Sequence, residues 1–136
     1  MSEKQKTRVA LTCCDTHAYW FGVFMDEPDI EILHTYDKQA PTREAVHLYF
    51  RDGTNLKKLK IEQVPGFVIS KVYDKVDRLY GDYPGRAEEF CRTFPSGPKV
   101  CDDFDELLVD IDAAYLADSS GPPDGADHLE LARPFL

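Results

Sequence analysis

The spacing of apolar residues changes at Pro65-Gly66, and this change restricts the possible folds more than any other sequence feature. Before that point, short apolar stretches are separated by turn residues, a pattern typical of strands. After it, apolar residues recur every three or four positions, which is typical of helices that bury one face. The sequence therefore predicts an α+β domain: an antiparallel β-meander of about five strands, followed by two or three helices packed on one face.

Five stretches have the composition expected of strands. They are residues 8–13, 18–25, 30–36, 45–50 and 56–64. Residues 15–17 could form a turn between the first two, and Asp52-Gly53 is typical of a tight hairpin between the last two. Residues 43–51 could equally form a short helix capped by Thr42, so the sequence leaves their secondary structure open.

Three stretches after residue 65 have helical spacing. They are residues 69–80, 87–94 and 104–115. Gly81 suits the end of the first, Pro95 would stop the second, and Asp102 or Asp103 could cap the third. The apolar positions of the strands and helices together predict a core of Leu11, Tyr19, Phe21, Val23, Ile32, Leu48, Phe67, Val72, Val76, Phe90 and Leu108.

The chain length predicts one domain with a short tail. A chain of 136 residues is an ordinary size for a single domain. Residues 118–127 are rich in Gly, Pro, Ser and Asp, a composition typical of a linker. We therefore expect a domain at 1–117, then a linker and an apolar C-terminal tail at 118–136. That tail could fold back on the domain or dock on a neighbouring subunit.

The sequence contains no strong signal for export or membrane insertion. No stretch approaches the roughly 18 apolar residues of a membrane-spanning helix, and Thr12 and Asp15 interrupt the apolar run near the start. We expect a cytoplasmic protein with reduced thiols and no membrane partner. The four cysteines are Cys13, Cys14, Cys91 and Cys101. They lack the Cys-x-x-Cys spacing typical of zinc sites, so the sequence predicts no metal and no other cofactor.

Negative charge is concentrated in the C-terminal part of the chain. The net charge is -9; residues 1–80 carry 12 acidic and 12 basic groups, whereas residues 81–136 carry 13 acidic and 4 basic groups. This distribution argues against a nucleic-acid partner, which would favour a basic domain. Six carboxylates, together termed the acidic segment, are Asp102, Asp103, Asp105, Glu106, Asp110 and Asp112. They predict a surface that binds a basic protein, or else a solvated helix whose dipole favours acidic residues in its first turn.

Two short motifs near the N-terminus could carry chemistry. Cys13, Cys14, Asp15 and His17 combine possible nucleophiles with a carboxylate and an imidazole. Neighbours in sequence rarely have the geometry of a catalytic pair, and the glycine motifs that bind phosphate do not occur. Tyr19, Trp20, Phe21 and Phe24 could supply an aromatic platform for bases or sugars.

The function that the sequence favours is that of a small acidic binding or regulatory protein, of the inhibitor, immunity or adaptor type. It would bind a basic surface on another protein through the acidic segment. One alternative is a cysteine-dependent enzyme that uses residues 13–17, and another is a subunit of a larger assembly that docks through its tail. The sequence predicts neither an oligomeric state nor a ligand, and an enzymatic role is left uncertain.

Overall fold

The computed structural model describes residues 5–34, 53–75, 85–117 and 128–136. In these ranges the strands are β1 (Thr7–Leu11), β2 (Phe67–Val72), β3 (Lys99–Val100) and β4 (Ala113–Tyr115). The α-helices are α1 (Thr16–Met25), α2 (Ile30–His34), α3 (Gly53–Glu62), α4 (Arg86–Arg92), α5 (Phe104–Leu107) and α6 (His128–Ala132). A 3-10 helix follows at Arg133–Phe135.

The four strands form one parallel sheet in the order β3-β2-β1-β4. Val9 of β1 lies between Ile69 of β2 and Ala113 of β4, so β1 is an interior strand. β3 pairs with the outer side of β2, where Val100 lies opposite Val72. Because every pairing is parallel, each connection must cross over the sheet, and α1 to α5 lie in these crossovers, whereas α6 follows the last strand.

The predicted antiparallel β-meander is therefore wrong, and the fold is α/β rather than α+β. Residues 18–25, 30–34 and 56–62, all predicted as strands, lie in α1, α2 and α3. Short apolar runs fit a buried helix as well as a strand, so composition alone could not separate the two. Residues 45–50 lie outside the described residues.

The predictions for the later elements are partly confirmed. The helix predicted at 87–94 is α4, and Asp103 does cap α5 by accepting a hydrogen bond from the backbone N–H of Glu106 at 2.8 Å. The first part of the helix predicted at 69–80 is wrong, because residues 67–72 form β2, and residues 76–80 lie outside the described residues. The helix predicted at 104–115 ends early. Asp110 adopts a left-handed φ of 55°, after which the chain enters β4.

One face of the sheet carries the larger part of the core. Leu11 of β1 packs there with Tyr19 of α1 and Phe90 of α4. Gly22 allows α1 to lie close to the sheet, because a Cβ atom at this position would be 3.2 Å from Cδ1 of Ile69. The first crossover is thus fixed tightly against the strands.

The other face is covered by a smaller cluster. Ala10 of β1 packs there with Leu107 of α5. Phe135, in the C-terminal 3-10 helix, lies with its ring centroid 5.7 Å from that of Phe104. The apolar end of the chain therefore contacts the domain, and both faces of the sheet are covered.

None of the helices in the described ranges combines the length and the apolar character needed to cross a membrane.

Candidate functional site

The direction of the strand order reverses between β1 and β4. From β1 the chain proceeds outward to β2 and β3, and it then returns to the far side of β1 to form β4. In open α/β sheets, such a reversal of the strand order opens a crevice at the carboxyl ends of the two strands that flank it. Ligands of open α/β sheets bind at such a crevice, so the residues that follow β1 and β4 are the first candidates for a site.

The turn after β1 ends in a side-chain cap on α1. Oδ1 of Asp15 accepts hydrogen bonds from the backbone N–H groups of His17 at 2.8 Å and of Ala18 at 3.4 Å. Two backbone donors that a helix start leaves unpaired are thus satisfied. The carboxylate also places negative charge at the positive end of the helix dipole. This local preference explains why the chain turns into a helix here rather than into the predicted hairpin.

Asp15 also holds the imidazole of His17. Oδ2 of Asp15 lies 3.3 Å from Nδ1 of His17. The side chain of Asp15 is 15 % exposed, and that of His17 is 45 % exposed. The carboxylate is therefore fixed inside the turn, whereas the imidazole can be reached from the solvent.

Aromatic rings continue along the same side of α1. His17, Trp20 and Phe21 are three and four positions apart, so they share a helix face. The ring centroids of His17 and Trp20 are 6.0 Å apart, and those of Phe21 and Tyr115 are 5.7 Å apart. Trp20 and Phe21 are nonetheless 40 % and 52 % exposed. They form an open apolar wall, which is the usual lining of a small-molecule site.

Tyr115 brings the end of β4 to this wall. Its backbone carbonyl accepts a hydrogen bond from the N–H of Thr12 at 3.3 Å. Burial, and then the negative charge of Asp15, raise the pKa of Tyr115 to about 12. Like any tyrosine hydroxyl at neutral pH, this group is protonated and can donate a hydrogen bond, and the shift extends the protonated form to higher pH. The five side chains at this place, together termed the crevice cluster, are Asp15, His17, Trp20, Phe21 and Tyr115.

A buried ion pair lies after β2 and next to the turn that follows β1. The Asp74 carboxylate is completely buried, and it accepts hydrogen bonds from Nε of Arg86 at 2.5 Å and from Nη2 at 2.6 Å. Nη2 of Arg86 also donates to Sγ of Cys13 at 3.4 Å. Burial is the largest single effect and would lower the pKa of Arg86, but the hydrogen bonds to Asp74 and its negative charge together outweigh burial and raise that pKa. The pair links α4 to the turn that carries the site.

The two adjacent cysteines take no part in the crevice. Cys13 is 2 % exposed and Cys14 is completely buried. Burial, and then the negative charge of Asp74, raise the pKa of Cys14 well above its ordinary value. A catalytic thiol needs the opposite shift. Of the set Cys13, Cys14, Asp15 and His17, the structure brings only Asp15 and His17 into one exposed arrangement.

The carboxylates of the acidic segment are divided between internal pairs and solvent. Arg8 donates to Asp112 from Nε at 3.0 Å and from Nη2 at 3.1 Å, and these bonds lower the pKa of Asp112 to about 2. Glu106 pairs with Lys99, which lowers the pKa of Glu106. Asp103 is the cap of α5. The three exposed carboxylates that remain are Asp102, Asp105 and Asp110.

A second concavity lies at the other end of the sheet. Its volume is about 290 Å³, and its lining includes Lys6, Lys60 and the buried Asp26. The carboxylate of Asp26 already accepts hydrogen bonds from the N–H of Ile69 at 3.0 Å and from Oγ of Ser96 at 2.6 Å. Its polar group therefore serves the fold, and this cavity is a weaker candidate than the crevice.

The sequence analysis had named four members of the crevice cluster as candidates, namely Asp15, His17, Trp20 and Phe21. The pairing of Asp15 with His17 is local, so the motif at residues 13–17 already contained it. Tyr115 and Arg86 were not identified, because the strand order alone brings them to the turn after β1. In the described ranges, no three His, Cys, Asp or Glu side chains are grouped so that they could hold a metal ion.

Comparison with known proteins assigns no relative: no family model matches the chain, and no curated protein or solved structure matches it significantly. The class is therefore defined by the fold and the site. The chain is an α/β domain with helices on both faces of a parallel sheet, and its candidate site lies where the strand order reverses.

Proposed function

We propose that this chain is a nucleoside-binding domain of the doubly wound class, which holds a nucleoside at the crevice between β1 and β4. The observation that supports this proposal most strongly is the strand order β3-β2-β1-β4. The same order occurs in the first four strands of the dinucleotide-binding fold. There the cofactor lies across the carboxyl ends of the strands at the point of reversal.

The crevice cluster offers the groups that recognition of a nucleoside needs. The exposed rings of Trp20 and Phe21 can stack on a planar base. The hydroxyl of Tyr115 can donate a hydrogen bond, and the ring of Tyr115 contacts Phe21, which lies one helical turn after His17 on α1. A ligand with one flat ring and several hydroxyl groups fits this combination.

The crevice cluster should bind phosphate less well than the corresponding site in the common form of this fold. There a glycine-rich turn lets a pyrophosphate reach the unpaired N–H groups at a helix start. Here residues 12–18 contain no glycine, and the carboxylate of Asp15 already accepts hydrogen bonds from two of those N–H groups. A phosphate at this place would be repelled by that carboxylate. We therefore expect a nucleoside to bind more tightly than the nucleotide with the same base.

The carboxylate that follows β2 also has a different role here than in dinucleotide-binding domains. In dinucleotide-binding domains, a carboxylate near this point binds the ribose of the cofactor. Asp74 lies two residues beyond β2, but its carboxylate is completely buried and holds Arg86 with both oxygens. The proposed ribose contacts therefore come from the crevice cluster and not from Asp74.

Isothermal titration calorimetry with adenosine, guanosine, AMP, NAD⁺ and NADP⁺ tests this function. We expect saturable binding of at least one nucleoside, and weaker binding of the matching nucleotide. The Tyr115→Phe variant removes one donor and should weaken that binding about 3- to 10-fold. Tyr73→Phe, on the other face of the sheet, should leave the affinity unchanged. A folded protein that binds no member of this panel would show that the proposal is wrong.

A second candidate function is the binding of a basic protein at the acidic segment. The observation in its favour is that Asp102, Asp105 and Asp110 are exposed rather than engaged with internal cations as Asp112 is. Replacing these three with Asn together should weaken the binding of a lysine-rich peptide and reduce its dependence on salt. Asp112→Asn is the matched control and should change little. Equal affinity and equal salt dependence in the triple variant would rule this candidate out.

We also propose a cytoplasmic location. The support comes from the four cysteines, which carry thiols rather than disulfides in the structure, whereas exported proteins commonly form disulfides.

A further inference from the structure

The imidazole of His17 is held in one orientation by Asp15. Oδ1 of Asp15 is committed to the backbone N–H groups of His17 and Ala18, so Oδ2 is the oxygen that faces Nδ1 of His17, at 3.3 Å. The same side chain therefore caps the helix and positions the ring. Because the cap fixes the carboxylate, the ring can align with it only through Nδ1.

This arrangement fixes the position of the proton on the neutral imidazole. An ionised carboxylate can only accept a hydrogen bond, so Nδ1 must be the nitrogen that carries the proton. The other ring nitrogen, Nε2, then presents a lone pair. The side chain of His17 is 45 % exposed, so a ligand can approach this acceptor.

Tyr115 gives the crevice the complementary group. Its hydroxyl carries a proton at neutral pH, as a tyrosine ordinarily does, and it can therefore donate a hydrogen bond. The crevice cluster thus combines a hydroxyl donor on β4 with a nitrogen acceptor on α1. The adjacent hydroxyl groups of a ribose can each donate and accept, so they match such a pair.

We infer that His17 selects ligands that carry a free hydroxyl group, through a hydrogen bond from that hydroxyl to Nε2, and that Asp15 is the residue that positions it. The identity of the ligand as a nucleoside rests on the proposed function. The position of the ring proton does not, because it follows from the contact between Asp15 and His17 alone.

The proton position can be measured without any ligand. Long-range ¹H–¹⁵N spectra distinguish protonated from unprotonated ring nitrogens, and a His17→Asn variant identifies the signals of His17. We expect Nδ1 to be protonated and Nε2 unprotonated in the neutral form. In Asp15→Asn, the amide oxygen can keep the cap while the amide nitrogen donates to Nδ1, so the proton should move to Nε2. A wild-type ring with its proton on Nε2 would overturn the inference.

Selection for the hydroxyl is measured by comparing adenosine with 2′,3′-dideoxyadenosine. We expect the wild-type protein to bind adenosine about tenfold more tightly. The preference should be lost in His17→Phe, which keeps an aromatic ring but removes Nε2. It should persist in Asp112→Asn, which removes a carboxylate remote from His17 in sequence and bound to Arg8. Equal affinities of the wild-type protein for the two nucleosides would overturn the selection by His17.

The two experiments separate this inference from the proposed function. If the protein binds adenosine and 2′,3′-dideoxyadenosine equally tightly, the proposed nucleoside-binding function stands and the role of His17 is refuted. If no nucleoside binds, the proposed function is refuted and the selection of hydroxyl-bearing nucleosides with it. In that case the ¹H–¹⁵N spectra still test whether Asp15 determines which ring nitrogen of His17 carries the proton.

Discussion

At the scale of single residues, the site depends most on the buried charge of Asp74. Its carboxylate has no contact with solvent, and Arg86 supplies two hydrogen bonds that compensate for the lost hydration. The same Arg86 reaches Cys13 in the turn after β1. The ion pair therefore stabilises the position of the turn that carries Asp15.

Removing one partner of this pair should destabilise the protein strongly. In Asp74→Asn, the Arg86 guanidinium would stay buried without its counter-charge, and such losses cost about 3–5 kcal/mol. Urea denaturation of the variant and the wild-type protein measures this cost. Asp112→Asn is the matched control, because it breaks an exposed pair with Arg8 and should have a far smaller effect. Similar losses in both variants would contradict the account of the buried pair.

Two groups near the site should make the stability fall at high pH. Burial raises the pKa of Cys14 above its ordinary value of 9.0, and burial followed by the charge of Asp15 raises that of Tyr115 from 10.0 to about 12. Both groups hold their protons more tightly in the folded than in the unfolded state. Their contribution is complete below the ordinary values and is lost as the pH rises through the folded values.

The free energy of unfolding should therefore decline from about pH 9 upward. Cys14→Ala should lower the stability at neutral pH through a cavity, but it should flatten the decline at high pH. Denaturation curves recorded between neutral pH and about pH 11 give both quantities. An identical pH dependence in the variant would show that the thiol does not contribute.

At the level of elements, the sequence predicted burial better than it predicted secondary structure. Leu11, Tyr19 and Val23 were predicted to be core residues and are buried, because apolar side chains avoid water in a helix or a strand alike. Phe21 was also predicted for the core, but it is 52 % exposed. The alternation of a strand would place it beside Tyr19, whereas the period of α1 turns it toward β4.

β2 shows a second reason for the errors. Ile69 and Val72 are three positions apart, which suggested a helix. Both are buried in the strand. A strand with helices on both faces lacks the polar alternation that marks a strand in a sequence. Two elements were predicted with the correct type. The strand predicted at 8–13 is β1, and the helix predicted at 87–94 is α4.

The contact between α1 and the sheet should not tolerate a larger residue at Gly22. A Cβ atom there would lie 3.2 Å from Cδ1 of Ile69 and 3.4 Å from a ring carbon of Phe90. Gly22→Leu should therefore destabilise the protein by about 1–3 kcal/mol, despite the better helix propensity of leucine. Trp20→Leu, on the exposed side of α1, is the control and should cost less. Thermal or urea denaturation measures both, and equal effects would contradict this packing.

For the whole molecule, the site is a product of the strand order. The turn after β1 and the last residue of β4 are about one hundred positions apart, and the parallel pairing of these two strands brings them together. Such a pairing joins residues that are far apart in the sequence, and local sequence patterns do not reveal it. Asp15 and His17 could be singled out in advance because they are neighbours, whereas Tyr115 had no local feature that linked it to them.

Mapping of a bound nucleoside onto the backbone tests the central claim most directly. The ¹⁵N-labelled protein is titrated with adenosine, and the changes in amide chemical shift are followed along the described chain. We predict that the largest changes fall on residues 12–17 and 113–117, at the carboxyl ends of β1 and β4. Changes centred on the cavity lined by Lys6 and Lys60, or no changes at saturating adenosine, would contradict the assignment of the crevice as the binding site.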